Sequence, residues 1–133
     1  MPQIKALLGG TVTRYSGEIT FRWELGAVTV EFLNRRKQMI EYISDGEHYV
    51  FTSRIVGRGV VEVIGRERLA RDILLWNRST DVVAFRFNKR GGLEGYIEQR
   101  AASVSTEELR FYLACLAREA DRLEFLLTGR DQH

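Results

Sequence analysis

The stretch Ser105–Gly129, STEELRFYLACLAREADRLEFLLTG, has the letters of a long helix that closes a core. Ser105 and Glu108 stand at capping-box spacing. In that arrangement the Ser side chain takes the amide of Glu108, and the Glu side chain reaches back to the amide of Ser105. Val104 and Leu109 flank the box where a hydrophobic staple sits. Gly129 follows the last apolar residue and suits the left-handed turn that ends a helix. Leu109, Leu113, Leu116, Ala120, Leu123 and Leu127 recur at steps of four and three, forming one continuous stripe. A stripe that long requires a broad apolar surface beneath it, and strands upstream are the source of one.

The same helix has a second side. Phe111, Cys115, Arg118, Arg122 and Phe125 fall at steps of four, three, four and three, well around the helix from the core stripe. A one-sided surface helix is polar there. Each Phe left in water rather than buried forgoes roughly 2 kcal/mol, so a cover is expected. One candidate is the N-terminal arm, through Ile4, Leu7 and Leu8. The other is a groove or dimer surface in which the rings anchor an apolar partner and the arginines pair with its rim.

Upstream, Ile19, Phe21, Trp23 and Leu25 alternate with polar residues as a half-buried strand. Gly26-Ala27 makes a tight turn, and Val28, Val30 and Phe32 return. Met39–Ile43 is a third strand, and Asp45-Gly46 a hairpin signal. Tyr49, Phe51, Ser53 and Ile55 form a fourth strand, with Val60–Ile64 a short edge piece beyond Gly57 and Gly59. A helix over about 67–78 follows. Its Leu69, Ile73 and Trp76 share one side with Ala70 and Leu74, while Arg68 and Arg71 face away. Leu75 points with the arginines, which predicts a contact outside the main core. Val83, Phe85 and Phe87 form a strand, Asn88–Gly92 a loop, and Leu93–Ile97 the partner strand. Met1–Leu8 is a helical turn or an extended arm, ended by Gly9 and Gly10.

The 133 residues suit a single α+β domain, with 44% apolar residues and a net charge of +2. That charge is too small to imply a nucleic-acid partner. Basic residues do outnumber acidic ones between Arg54 and Arg100, so a nucleic-acid-associated regulator using region 54–100 is the alternative function. A lone cysteine excludes an internal disulfide and fits a reducing compartment. No apolar run is long enough to span a membrane or form a signal-peptide core, so a soluble cytoplasmic protein is expected.

Motifs for chemistry are missing. His48 stands beside a turn with no ligand cluster near it in sequence, so no metal is expected. Cys115 could be activated by Arg118, but a mid-helix cysteine is more often a small packing residue. Gly57-Arg58-Gly59 lacks the third glycine of a dinucleotide loop, and Arg90-Gly91-Gly92 reads as a hairpin turn. No cofactor and no catalytic residue are expected.

The second half resembles a known family. The run Leu74-Leu75-Trp76-Asn77-Arg78, the strand Val82–Asn88, Gly91-Gly92, the strand Leu93–Ile97, Ser105–Leu109 and Ala120-Asp121-Arg122-Leu123 look like the YbjN-like family. That family is similar in fold to the type III secretion chaperones. The resemblance implies an antiparallel sheet with a middle helix and a long C-terminal helix packed mainly on one face. It also implies a non-enzymatic, chaperone-like module that binds a protein partner, acts as a homodimer and has a regulatory role. The candidate protein-binding residues are Leu75, Phe111, Cys115, Arg118, Arg122 and Phe125.

Overall fold

The computed structural model describes residues 4–129. Five strands form an antiparallel meander: β1 (Val12–Arg14), β2 (Ile19–Glu24), β3 (Ala27–Phe32), β4 (Lys37–Ser44) and β5 (His48–Val56). The chain then leaves the sheet through α2 (Arg58–Ile64) and α3 (Arg66–Ser79). It returns as the hairpin β6 (Ala84–Phe87) and β7 (Leu93–Arg100), with β7 laid against β5. The sheet order is therefore β1-β2-β3-β4-β5-β7-β6. A 3-10 turn, Ala101–Ser103, leads into α4 (Thr106–Thr128), and a short α1 (Ile4–Leu8) precedes the sheet.

The strands alternate because one face is covered. Ile19 and Phe21, Val28 and Val30, Gln38 and Ile40, and Tyr49, Phe51, Ser53 and Ile55 are buried, as are Leu93, Gly95 and Ile97. Against this face lies α4, which crosses β3, β4, β5 and β7. Its Leu109, Leu113, Leu116, Ala120 and Leu123 are fully buried, and Leu127 is half-buried at the end of the stripe. Gly95 on β7 lets the helix approach closely: a Cβ there would meet Leu116 Cδ1 at 3.0 Å. The opposite face of the sheet carries Met39 and Ile43 exposed among polar and charged side chains.

The helix ends follow their letters with one difference. Ser105 Oγ accepts from the Glu108 amide at 3.1 Å, but the Glu108 carboxylate takes the Ser105 hydroxyl at 3.1 Å rather than its amide. Gly129 has φ 71°, and its N–H donates to the Phe125 carbonyl at 2.7 Å.

Two expectations are corrected, and one strand is added. Val60–Ile64 is helix, not edge strand: its apolar residues 60, 61, 63 and 64 have helical spacing, and Gly57 and Gly65 bound the turn of helix. On α3, Leu69 and Ile73 are buried, yet Ala70 and Leu74 face solvent. The helix sits over the β6 edge and not across the sheet, so only a narrow side finds a surface. The strand β1 was not expected at all, because three residues are too few for a visible alternation.

The α3–β6 junction closes one sheet edge. The side-chain amide of Asn77 donates to the Phe85 carbonyl at 3.1 Å, and its oxygen accepts from the Phe85 N–H at 2.8 Å. Thr80 Oγ1 holds the Val83 carbonyl, and Trp76 meets Phe85 edge-on with ring centroids 5.8 Å apart.

Polar contacts tie α4 to the sheet as well. Gln38 Nε2 donates to Glu124 Oε1 at 2.9 Å, and behind it Ser53 Oγ donates to Gln38 Oε1 at 3.3 Å. Glu124 is buried among them, an outcome that apolar periodicity does not foresee.

Candidate protein-binding surface

The structure keeps Phe111, Cys115, Arg118, Arg122 and Phe125 on one side of α4, away from the sheet. Phe111 and Phe125 remain 48% and 49% exposed. The arm α1 does pack on α4, with Ile4 and Leu8 buried, but elsewhere on the helix. Arg110 Nη2 donates to the Leu8 carbonyl at 2.8 Å, and Lys5 Nζ stands 5.1 Å from the Trp23 ring centroid. The arm thus seals the side of α4 near β2 and leaves both rings half in water.

Each ring has one polar or aromatic neighbour. Phe111 packs against Tyr112, centroids 5.9 Å apart. The guanidinium of Arg36, in the β3–β4 turn, lies 5.5 Å from the Phe125 centroid and forms an ion pair with Asp121 at 3.0 Å. Between the rings, Arg122 pairs with Glu119 at 2.6 Å, so its charge is partly used within the helix. Arg118 is exposed. Leu126, also exposed, adds apolar surface at this end of α4.

Cys115 is half-buried on this side. Burial pushes its thiol up from the ordinary value, and the nearby Arg118 guanidinium opposes this without overcoming it. The thiolate is the reactive form. Iodoacetamide should therefore label Cys115 in the folded protein at pH 8 more slowly than a short cysteine peptide, and denaturation in urea should abolish the difference. Equal rates would show that the thiol is not shielded.

Leu75 lies apart from this stripe, on α3. It is 61% exposed and its neighbour Leu74 is 65% exposed, so no loop of the described chain buries either. The structure does not bring Leu75 together with the α4 residues. It yields two apolar areas on separate elements.

The arginine-rich middle region divides. Arg68, Arg71 and Arg78 are exposed on α3, and Arg100 ends β7. Arg54, Arg58, Arg86, Lys89 and Arg90 instead surround a depression of about 740 Å³ where β5, β7 and the β6–β7 turn meet. A smaller hollow of about 430 Å³ adjoins it, sharing Arg58, Lys89 and Arg90 and adding Arg66. The grouping was hidden in the sequence because three segments supply it. A partial signal exists in strand parity, which puts Arg54 and Arg86 on the polar face with Glu94 between them.

At the β4–β5 turn, Asp45 Oδ1 accepts from the backbone N–H of Glu47 and of His48, at 2.9 and 2.8 Å. These hydrogen bonds hold the Asp45 carboxyl below the ordinary range. His48 serves this turn, its Nδ1 3.9 Å from Asp45 Oδ2. Among the described residues, no group of three or more His, Cys, Asp or Glu is placed to hold a metal ion. No helix among them is long and apolar enough to cross a membrane.

These elements define an α+β protein of the type III secretion chaperone-like fold: an antiparallel sheet with helices and a long C-terminal helix closing one face. Solved structures similar to it include two complexes. One is the ExsC–ExsE complex, at 21% identity and TM-score 0.55, covering 80% of this chain and 80% of that chain. The other is the heterodimeric ExoU–SpcU complex from the type III secretion system of Pseudomonas aeruginosa. It matches at 14% identity and TM-score 0.55, covering 96% of this chain and 100% of that chain. No family model matches the sequence, and no curated protein matches it.

Proposed function

We propose that this chain is a non-enzymatic, chaperone-like protein-binding module, a single cytoplasmic domain that acts as a homodimer and regulates through the partner it holds. In this reading it is kin to the YbjN-like family. Phe111, Cys115, Arg118, Arg122 and Phe125 form one contact surface on α4, and Leu75 on α3 forms another.

The observation that carries the reading is the pair of half-exposed phenylalanines on a helix whose other side closes the core. The arm that was free to cover them packs elsewhere on α4. Apolar rings flanked by arginines have the composition of an interaction hot spot. The likeness in fold to two structures that each hold a complex adds support.

The double change Phe111→Ser, Phe125→Ser tests it. Both side chains are half in water, so the variant should keep its circular dichroism and thermal midpoint while losing self-association or partner capture. Unfolding, or association as before, would assign the rings to the core and end this reading. The dimer has its own test in Leu75→Glu, which should give a folded monomer by light scattering. An unchanged dimer would remove Leu75 from the interface.

A further inference from the structure

We infer that the basic depression between the end of β5 and the β6–β7 turn is a docking site for an acidic segment of the protein partner, an extended run of Asp and Glu side chains. The inference rests on the protein-binding reading and adds to it a second surface, remote from the α4 stripe, and a chemistry for what it takes.

Charge carries the argument. The two adjoining hollows are lined by six cationic side chains, Arg54, Arg58, Arg66, Arg86, Lys89 and Arg90, against three carboxylates, Glu41, Glu62 and Glu94. Two of the carboxylates are already engaged, in the pairs Arg58–Glu62 and Arg86–Glu94, both at 2.9 Å. Among the described residues, no carboxylate stands at ion-pair distance from Arg54, Lys89 or Arg90. Clustered charges of one sign in a hollow raise the local concentration of the opposite charge. A guanidinium also matches a carboxylate as a two-pronged donor.

The turn that carries Lys89 and Arg90 is fixed in place. Asn88 Oδ1 accepts from the N–H groups of Arg90 and Gly92, at 3.0 and 2.9 Å, which shapes the turn that presents Lys89 and Arg90. Gly92 lies so close to β5 that a Cβ would meet the Val56 carbonyl oxygen at 2.8 Å, and a Cβ on Gly91 would meet the Arg58 side chain at 3.2 Å. The turn is thus pressed onto the β5–α2 corner, and the cations of both segments face one hollow.

The aromatic residues favour a peptide over a nucleic acid. Binding of single strands relies on free ring faces for base stacking. Here the Arg66 guanidinium lies 4.1 Å from the Phe87 centroid, and that of Arg86 lies 4.0 Å from the Tyr96 centroid. Each of these rings already carries one of the protein's own cations over a face. What remains open is charge and hydrogen-bond donors, which suit carboxylates.

Fluorescence anisotropy with a labelled deca-glutamate peptide at low ionic strength tests this. The wild type should bind saturably, and 0.5 M salt should release the peptide. Lys89→Glu, Arg90→Glu should weaken binding at least tenfold, and so should Arg54→Glu, a second variant on a different strand. The charge-matched control Arg14→Glu, Arg100→Glu changes two exposed residues away from the hollow; Arg100 lies seven residues along β7 from Leu93, roughly 23 Å. It should shift affinity less than twofold. Absence of saturable binding to the wild type would overturn the inference. So would equal weakening by control and site variants, which means attraction by overall charge. Tighter binding of a ten-nucleotide oligothymidine than of the peptide would assign the hollow to nucleic acid instead. Self-association measured on the same variants keeps the two readings apart. It is unchanged by Lys89→Glu, Arg90→Glu if only the docking site is lost, whereas its loss in the Phe111, Phe125 variant bears on the α4 surface alone.

Discussion

Leu116→Ala should destabilise the protein by about 3–5 kcal/mol, the cost of emptying a fully enclosed leucine site. Leu116 is buried without residual exposure at the middle of α4, over Gly95 of β7. For a chain of this length, the thermal midpoint should fall by about 10 °C or more. Urea unfolding gives the first and a thermal melt the second, each followed by circular dichroism. The contact to Gly95 allows a sharper test. Gly95→Ala in the wild type pushes a methyl to 3.0 Å from Leu116 Cδ1 and should destabilise it. Placed on Leu116→Ala, the same change adds atoms where space has opened, so the double variant should be more stable than the sum of the two losses. Simple additivity would mean that the helix does not seat on this glycine.

Gly92→Ala should cost about 1–3 kcal/mol, the range for forcing atoms into a filled site. The added methyl would lie 2.8 Å from the Val56 carbonyl oxygen, and a backbone atom within a strand cannot swing aside as a side-chain tip can. The β6–β7 turn would have to lift from β5, so binding of acidic peptide should weaken in the same variant. Gly57 provides the contrast. It lies at the same corner, but a Cβ there meets nothing within 4 Å, and its extended backbone, φ −82° and ψ 177°, suits alanine. Gly57→Ala should leave the urea midpoint nearly unchanged. If the two glycines respond alike, the close approach at Gly92 is not what holds the turn.

The fold was legible where one residue period dominates. In α4 the leucine stripe is long enough to fix the face, the cap and the end. In β2 to β5 the two-residue alternation survives because only one sheet face is covered. Legibility failed where an element packs on something narrower than a sheet. Residues 60–64 form under two turns, too short to separate a helical from an extended pattern. The burial of α3 depends on its meeting an edge strand, which left Leu74 in solvent against expectation. The Gln38–Glu124 hydrogen bond joins residues 86 positions apart, and no local pattern reports it. Of the candidate site, the wheel identified the Phe111–Phe125 side correctly as lying off the core. It had no means of showing that α1 would pack beside it and not over it.

The Asn77 amide has a consequence for how readily a further strand can add to this sheet. An outer strand presents unpaired N–H and C=O groups on which another strand can grow. At β6 the Phe85 pair of groups is already taken by a side chain of α3, and the Val83 carbonyl by Thr80. A sheet with two open edges can add neighbours on both sides and lengthen without limit, as head-to-tail contacts do when rotation does not close them. With these groups taken, the β6 side offers an added strand fewer pairing sites than a bare edge does. Asn77 therefore works as a partial plug on the sheet's border, because the Phe85 groups it occupies are withdrawn from any incoming strand.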